Sequence, residues 1–325
     1  MSKKSTEHHE RTPLAREKQL ERIDSLKKLL DAEDLPTPAR ADHLSELGAL
    51  YASLGMVDEA YPVWEQLLSI FRKLGDPVGE GHALGNLSKK DWREGAHNAA
   101  MSFLEASLLI QSRTGDREGE AMTRSNMAVL CQQQGELQSA MQHLETALAI
   151  QRQLGDRAGE GRTLNHISEI FRSKGDHGRA LKYLQDALNI HRKLGLREKE
   201  AVNLNNLALN YKAMGNHKQA LKYLKESLTL YRAMGNREDE GSVLNNLATL
   251  HHERGDLKRA LRYSRQALEI HQAAGNEASM CPTLFNLGHF HRILARKPAI
   301  SIAGGIAKVR EAHPGLYSGI GFVLL

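Results

Sequence analysis

Asparagine recurs at intervals of forty residues, and its side-chain amide is the first group in this sequence that could do chemistry. The series consists of Asn86, Asn126, Asn206, Asn246 and Asn286. Glu46 takes the place of asparagine in the first repeat, and His166 takes it in the fourth. The preceding residue is also asparagine at Asn165, Asn205 and Asn245. An amide offers donors and an acceptor that can pair with a peptide backbone whatever side chains the peptide carries. Asparagine inside a helix has no cap to make, so its repetition there needs a reason. Three explanations are open: ligand binding, hydrogen bonds between successive repeats, and a solvated polar face.

Basic side chains accompany these amides on the same helix faces. They are Lys89, Arg93, Arg162, Arg172 and Lys212, and the acid among them is Glu169. This balance favours an acidic peptide that is steered to the surface by charge. The alternative is an ordinary solvated basic face.

Catalytic and metal-binding motifs are absent from the sequence. It contains no phosphate-binding glycine loop, no GxSxG elbow and no HExxH helix. Three groups of histidines lack further Asp, Glu or Cys at ligand spacing: His8-His9, His251-His252, and His289 with His291. We expect His251 and Cys131 to be packed in the core, because each takes an apolar position of its repeat. The sequence therefore predicts no enzyme activity, no metal and no cofactor.

Glycine and alanine define the elements that position these side chains. Three series repeat every forty residues: Gly75, Gly115, Gly155, Gly195, Gly235 and Gly275; Gly55, Gly95, Gly135, Gly175, Gly215 and Gly255; and Ala60, Ala100, Ala140, Ala180, Ala220 and Ala260. At Gly155-Asp156 a glycine ends one helix and an aspartate caps the next. Each period therefore predicts two antiparallel helices, at about 157–173 and 177–193 in the representative unit. Because a single pair cannot bury its apolar face, the pairs must stack into an all-α solenoid.

The pattern of Leu44, Leu47, Gly48, Tyr51, Gly55 and Ala60 resembles the tetratricopeptide repeat. The forty-residue spacing and the run 155–162 are similar to the longer repeats of Pins-type polarity adaptors and of kinesin light chains. This resemblance implies a right-handed superhelical solenoid whose first helices line a concave groove for an extended or helical peptide. It also favours ligand binding for the asparagines, since related arrays carry an asparagine ladder in the groove. Arg162 matches an arginine of the Pins-type motif, which makes it the best single candidate.

The second repeat departs from the pattern, because 89–93 reads Lys-Lys-Asp-Trp-Arg where leucine and tyrosine are expected. Either the helix repacks so that Trp92 fills the gap, which we favour, or Trp92 is an aromatic anchor in the groove. A basic and aromatic cluster also suggests nucleic acid, but one instance is weak support.

The periodicity divides the chain into five parts. We predict a disordered segment at 1–12, a capping helix at 13–35, six repeats at 36–275, a seventh first helix at 276–295 and a divergent tail at 296–325. The apolar side of the capping helix carries Leu20, Ile23, Leu26 and Leu29, and a short coiled coil is the alternative use of this face. The tail is a divergent cap, an interaction element or a truncated end. We expect self-association through this uncovered end.

Composition places further limits on partners and compartment. The net charge is +5 over 325 residues, which is weak evidence for a nucleic acid partner, and we expect none. No apolar run is long enough to cross a bilayer, so we expect no membrane contact. Two cysteines 150 residues apart exclude a disulfide framework and favour a cytoplasmic location.

These observations predict a non-enzymatic adaptor that binds a peptide segment of a partner protein in the groove. The alternative is a regulatory module that changes conformation on binding a short peptide and controls a separate effector. An enzyme housed in the last thirty residues is the least favoured alternative, because that segment is too short for a site of its own.

Overall fold

The structure is a computed structural model that describes residues 13–31 and 36–295. Over these residues the chain forms fourteen α-helices and no strand. The helices are α1 (Pro13–Leu30), α2 (Thr37–Ser53), α3 (Val57–Leu74), α4 (Pro77–Arg93), α5 (His97–Thr114), α6 (Arg117–Gln133), α7 (Leu137–Leu154), α8 (Arg157–Ser173), α9 (His177–Lys193), α10 (Arg197–Ala213), α11 (His217–Met234), α12 (Arg237–Glu253), α13 (Leu257–Ala273) and α14 (Glu277–Ala295). The predicted disordered segment 1–12 and tail 296–325 lie outside the described residues, as do residues 32–35.

A glycine in the left-handed conformation lies one or two residues after the end of each helix from α2 to α13, with φ between 64° and 81°. At the α7–α8 turn, Gly155 has φ 69°, and the Asp156 N–H donates to the carbonyl of Gln151 at 2.9 Å. The Asp156 carboxylate then accepts from the Gly159 N–H at 2.8 Å, which caps the first turn of α8. Helices α8 and α9 begin and end at the residues that the sequence predicts.

The helices fall into two compact units, residues 1–210 and 211–325, and α10 contains the division between them. In the first unit, consecutive helices from α1 to α9 pack against one another, and the first helices α4, α6 and α8 also touch. In the second unit, α11, α12, α13 and α14 pack in the same serial manner. The alanines of the forty-residue series are fully buried in both units, as a close helix crossing at these positions would require.

Helix α1 covers the first repeat with only part of its predicted apolar side. Ile23 and Leu26 are buried in a cluster with Leu44 and Leu47. Leu20 and Leu29 are instead 42% and 43% exposed. Only two of the four residues expected on the apolar side of α1 are therefore buried.

The last helix of the second unit is buried on one side only. Leu287 and Phe290 on α14 pack against Ala248, Ala260 and the neighbouring leucines, whereas Phe285 is 72% exposed. No helix of the described part is long and apolar enough to span a membrane.

Candidate functional site

Three positions on each first helix stay at least partly exposed, at intervals of four and three residues, so they share one face. We call the face that they form on α4, α6, α8 and α10 the first-helix surface. It consists of His82, Asn86 and Lys89 on α4, Met122, Asn126 and Val129 on α6, Arg162, His166 and Glu169 on α8, and Val202, Asn206 and Leu209 on α10.

The asparagine series makes hydrogen bonds between successive first helices. Asn206 on α10 donates through Nδ2 to Oδ1 of Asn165 on α8 at 3.0 Å, and to Oε1 of Glu169 at 3.3 Å. In the second unit, Nδ2 of Asn286 donates to Oδ1 of Asn245 at 2.9 Å. The amides therefore take part in inter-repeat bonding, one of the three explanations that the sequence left open.

These bonds leave part of the series accessible. Asn165 is only 9% exposed, whereas Asn206 is half-buried. Among the described residues, Oδ1 of Asn206 has no hydrogen-bond partner, so it can still accept a bond from a ligand. Half-buried positions are also occupied by Asn126, Asn205, Asn245, Asn246 and Asn286.

Lys89 on α4 is drawn into the protein. Its Nζ donates to Oδ1 of Asn86 at 2.7 Å and lies 5.2 Å from the ring centroid of Trp64. Burial lowers the pKa of the Lys89 ammonium below its ordinary value. The Asn86 amide oxygen and the Lys89 ammonium group are therefore hydrogen-bonded to each other.

Of the other predicted cations, two pair with acids and two do not. Arg93 bonds Asp58, and Nζ of Lys212 lies 3.2 Å from Oε1 of Glu253 in the second unit. Arg162 and Arg172 on α8 are exposed, and neither pairs with an acid in the part of the chain that the structure describes. They are the cations best placed to meet a ligand.

Trp92 packs in the protein and fills the irregular second repeat. Its ring is half-buried against a cluster that includes Leu104 and Leu130, and its Nε1 donates to Oε1 of Gln133 at 2.7 Å. This arrangement agrees with the repacking that we favoured over a groove anchor.

A buried polar layer that the sequence analysis missed lies beneath α8. His191 on α9 is 1% exposed, and its Nδ1 lies 2.7 Å from Oδ1 of Asn203 on α10. Because a carbonyl oxygen only accepts, Nδ1 carries the proton and donates. Burial lowers the pKa of His191, against a raising effect of the Asn203 bond. The ring lies against Gly161, where a Cβ would come within 2.4 Å of Nε2.

A buried carboxylate near the start of α8 is clamped by two arginines. Glu160 is 4% exposed; it accepts from Nε of Arg152 on α7 at 2.9 Å and from Nη1 of Arg157 on its own helix. Glu240 in the second unit is held in the same way by Arg232 and Arg237. These clamps tie the end of one pair to the start of the next.

Two further sequence candidates for chemistry are packed in the protein, whereas His8 and His9 lie outside the described residues. His251 is 3% exposed and stacks on Tyr263, with ring centroids 5.4 Å apart, and Cys131 is buried. Within residues 13–31 and 36–295 no three His, Cys, Asp or Glu side chains come together as a metal site would require.

Comparison with known structures identifies similar helical arrays. The chain has 18% sequence identity with RapI in its apo form, with a TM-score of 0.63, and the match covers 80% of this chain and 93% of that one. A Rap conjugation gene regulator of the plasmid pLS20, solved with the Phr* peptide, gives 16% identity and a TM-score of 0.62 over 81% of this chain and 72% of that one.

A third similar structure is a signal transduction ATPase with a tetratricopeptide repeat sensor from Pyrococcus horikoshii. It has 16% identity and a TM-score of 0.63, and the match covers 87% of this chain and 47% of that larger protein. At these identities the likeness concerns the fold, and it confirms the predicted all-α repeat array. No curated protein matches the sequence.

A family model settles the relationship that the residue pattern suggested. The tetratricopeptide repeat model matches residues 92–153, 119–193, 159–233 and 199–273, which together span more than half of the chain. The repeats of this family form protein-interaction modules. The chain belongs to the tetratricopeptide repeat family.

Proposed function

We propose that this protein is a non-enzymatic adaptor that binds a peptide segment of a partner along the first-helix surface. The observation that carries the proposal is the pair Arg162 and Arg172, which are exposed on α8 without an acidic partner among the described residues. Asn206 lies on the neighbouring helix with an open Oδ1. Together these groups supply two cations for acidic side chains and an acceptor for a backbone N–H.

Two solved neighbours support a peptide as the ligand. One is described as a complex with the Phr* peptide, and a Rap protein with 13% identity and a TM-score of 0.57 is described as a complex with competence and sporulation factor. The same neighbours favour a second candidate function, a regulatory module, because one of them is described as a gene regulator.

The test of peptide binding is selection of a displayed library of random peptides on the whole protein. Selected peptides should be rich in Asp and Glu. The variant Arg162→Glu should weaken their binding about five- to tenfold, because an attraction becomes a repulsion. The matched control is Arg113→Glu, an exposed arginine on the second helix α5. Loss of binding in both variants, or in neither, contradicts the assignment.

The regulatory alternative is separated by X-ray scattering of the protein with and without a selected peptide. A change in the radius of gyration on binding supports a conformational module. An unchanged curve supports an adaptor.

A further inference from the structure

The first-helix surface changes character from one helix to the next. On α6 its three positions are Met122, Asn126 and Val129, and on α10 they are Val202, Asn206 and Leu209. Neither set contains a charged side chain. The helix between them, α8, presents Arg162 at the position equivalent to Met122 and Val202. At this one position, from α6 to α10, the surface therefore runs from apolar Met122 through basic Arg162 to apolar Val202.

The apolar members of this surface are accessible. Met122 is 52% exposed, although the transfer of a methionine side chain from water to an apolar environment is favourable. Val129, Val202 and Leu209 are half-buried. An apolar ligand side chain resting on either helix would cover carbon atoms that water now contacts.

At the centre of this pattern, Arg162 on α8 is an exposed cation without an acidic partner among the described residues. Glu169 on the same helix has a partner at one oxygen, because its Oε1 accepts from Nδ2 of Asn206 at 3.3 Å. Arg162 has no such partner within the described chain. An acidic ligand side chain is therefore matched to α8 and would not be matched to α6 or α10.

The distance between neighbouring first helices determines how many ligand residues separate the side chains that contact them. Packed helices lie about 8–10 Å apart, and an extended chain advances about 3.3 Å per residue. A peptide that crosses the first helices thus reaches the next helix after about three residues. Helices α6 and α8 are in contact, and Asn203 and Asn206 tie α10 to α8.

We infer that the first-helix surface selects an extended peptide with an acidic residue at its centre and an apolar residue about three positions away on each side. This inference rests on the proposed function and specifies its ligand. Arg162 selects the acid, Met122 with Val129 selects one apolar residue, and Val202 with Leu209 selects the other.

The experiment is the library selection repeated on one variant whose specificity should change and on one control variant whose specificity should not. Met122→Arg should convert the preference at one flanking position from apolar to acidic, while the central acid is retained. Leu109→Arg, on the second helix α5, introduces the same side chain at a residue 61% exposed and should leave the preferences unchanged. Circular dichroism verifies that both variants keep their helix content.

Three outcomes decide the matter. Apolar–acidic–apolar peptides from the wild-type protein, with the predicted switch in Met122→Arg alone, support the inference. Peptides that are lost with Arg162→Glu but lack this spacing, or that Met122→Arg leaves unchanged, overturn the inference and leave the proposed function standing. No selected peptides, or peptides insensitive to Arg162→Glu, overturn both.

Discussion

Replacing Gly161 by alanine should destabilise the first unit by about 1–3 kcal/mol. A Cβ at this position would lie 2.4 Å from Nε2 of His191 and 2.9 Å from its Cδ2. The ring is 1% exposed and is held by the 2.7 Å bond to Asn203, so it cannot move aside without breaking that bond. Overpacking costs about 1–3 kcal/mol and a lost hydrogen bond about 1 kcal/mol. The helix propensity of alanine offsets up to about 1 kcal/mol.

A matched control and a rescue variant isolate this cause. Gly178→Ala on α9 meets only Oδ1 of Asp176, at 3.8 Å, so it should stabilise the protein by up to about 1 kcal/mol. In the preceding repeat the positions equivalent to 161 and 191 are occupied by Ala121 and Gln151. The double variant Gly161→Ala with His191→Gln reproduces that natural pair. It should recover part of the stability lost in the single variant.

Urea unfolding followed by circular dichroism measures these differences through the transition midpoint. The midpoint should fall for Gly161→Ala, rise slightly for Gly178→Ala and partly recover in the double variant. Equal midpoints for the two single glycine variants would refute the reasoning, because they would mean that His191 can shift without cost.

Three other predictions concern burial and charge. Replacing both Arg152 and Arg157 should lower the free energy of unfolding by about 3–5 kcal/mol, because the nearly buried Glu160 carboxylate loses its partners. Glu160→Gln should lower it less, since both arginines are more than half exposed and can be hydrated. Urea unfolding compares the two variants. Because burial lowers the pKa of His191 below 6.5, the unfolded chain binds the proton first, and stability should fall as the pH drops below about 6.5. His191→Gln should reduce that fall between neutral pH and about pH 5.5, as measured by urea midpoints. Ala220→Leu should destabilise by about 1–3 kcal/mol through overpacking, because Ala220 is fully buried, and thermal unfolding measures the loss.

Periodicity made most of the fold predictable. The bounds of α8 and α9 follow from the glycines and the capping Asp156 and Asp176, whose effects are local. The buried alanines follow because a residue that stays small in six repeats marks a close crossing. Local signals of this kind do not depend on how the repeats stack.

The partners of individual polar groups were less predictable, because they depend on helix angles. The acceptor of Asn206 lies 41 residues earlier in the chain, at Asn165, and its distance is set by the rotation between α8 and α10. Lys89 points into the protein because the ring of Trp64 from an earlier helix offers it a face. The sequence identified these residues as one polar series and left open which of them pair with each other.

The buried His191 was missed because it is an exception within its own series. The equivalents in the other repeats are Phe71, Gln111, Gln151, Tyr231 and His271, so histidine occurs at this position in only two of the six repeats. The available signal was a coincidence between two series: glycine occupies the sixth position of a repeat both times that histidine occupies the thirty-sixth, as Gly161 with His191 and Gly241 with His271.

The bond between His191 and Asn203 also means that the forty-residue modules are not interchangeable. A tandem copy of the fourth module would bring Thr163 opposite His191 in place of Asn203. The sixth module already has such a junction: Thr283 stands at the equivalent place opposite His271, and Nδ1 of that histidine is buried without a hydrogen-bond partner among the described residues. Duplication of a module within the gene would keep the turns and the helix lengths but would create a less stable interface between two modules. The order of the modules therefore affects stability in a way that their shared sequence pattern does not show.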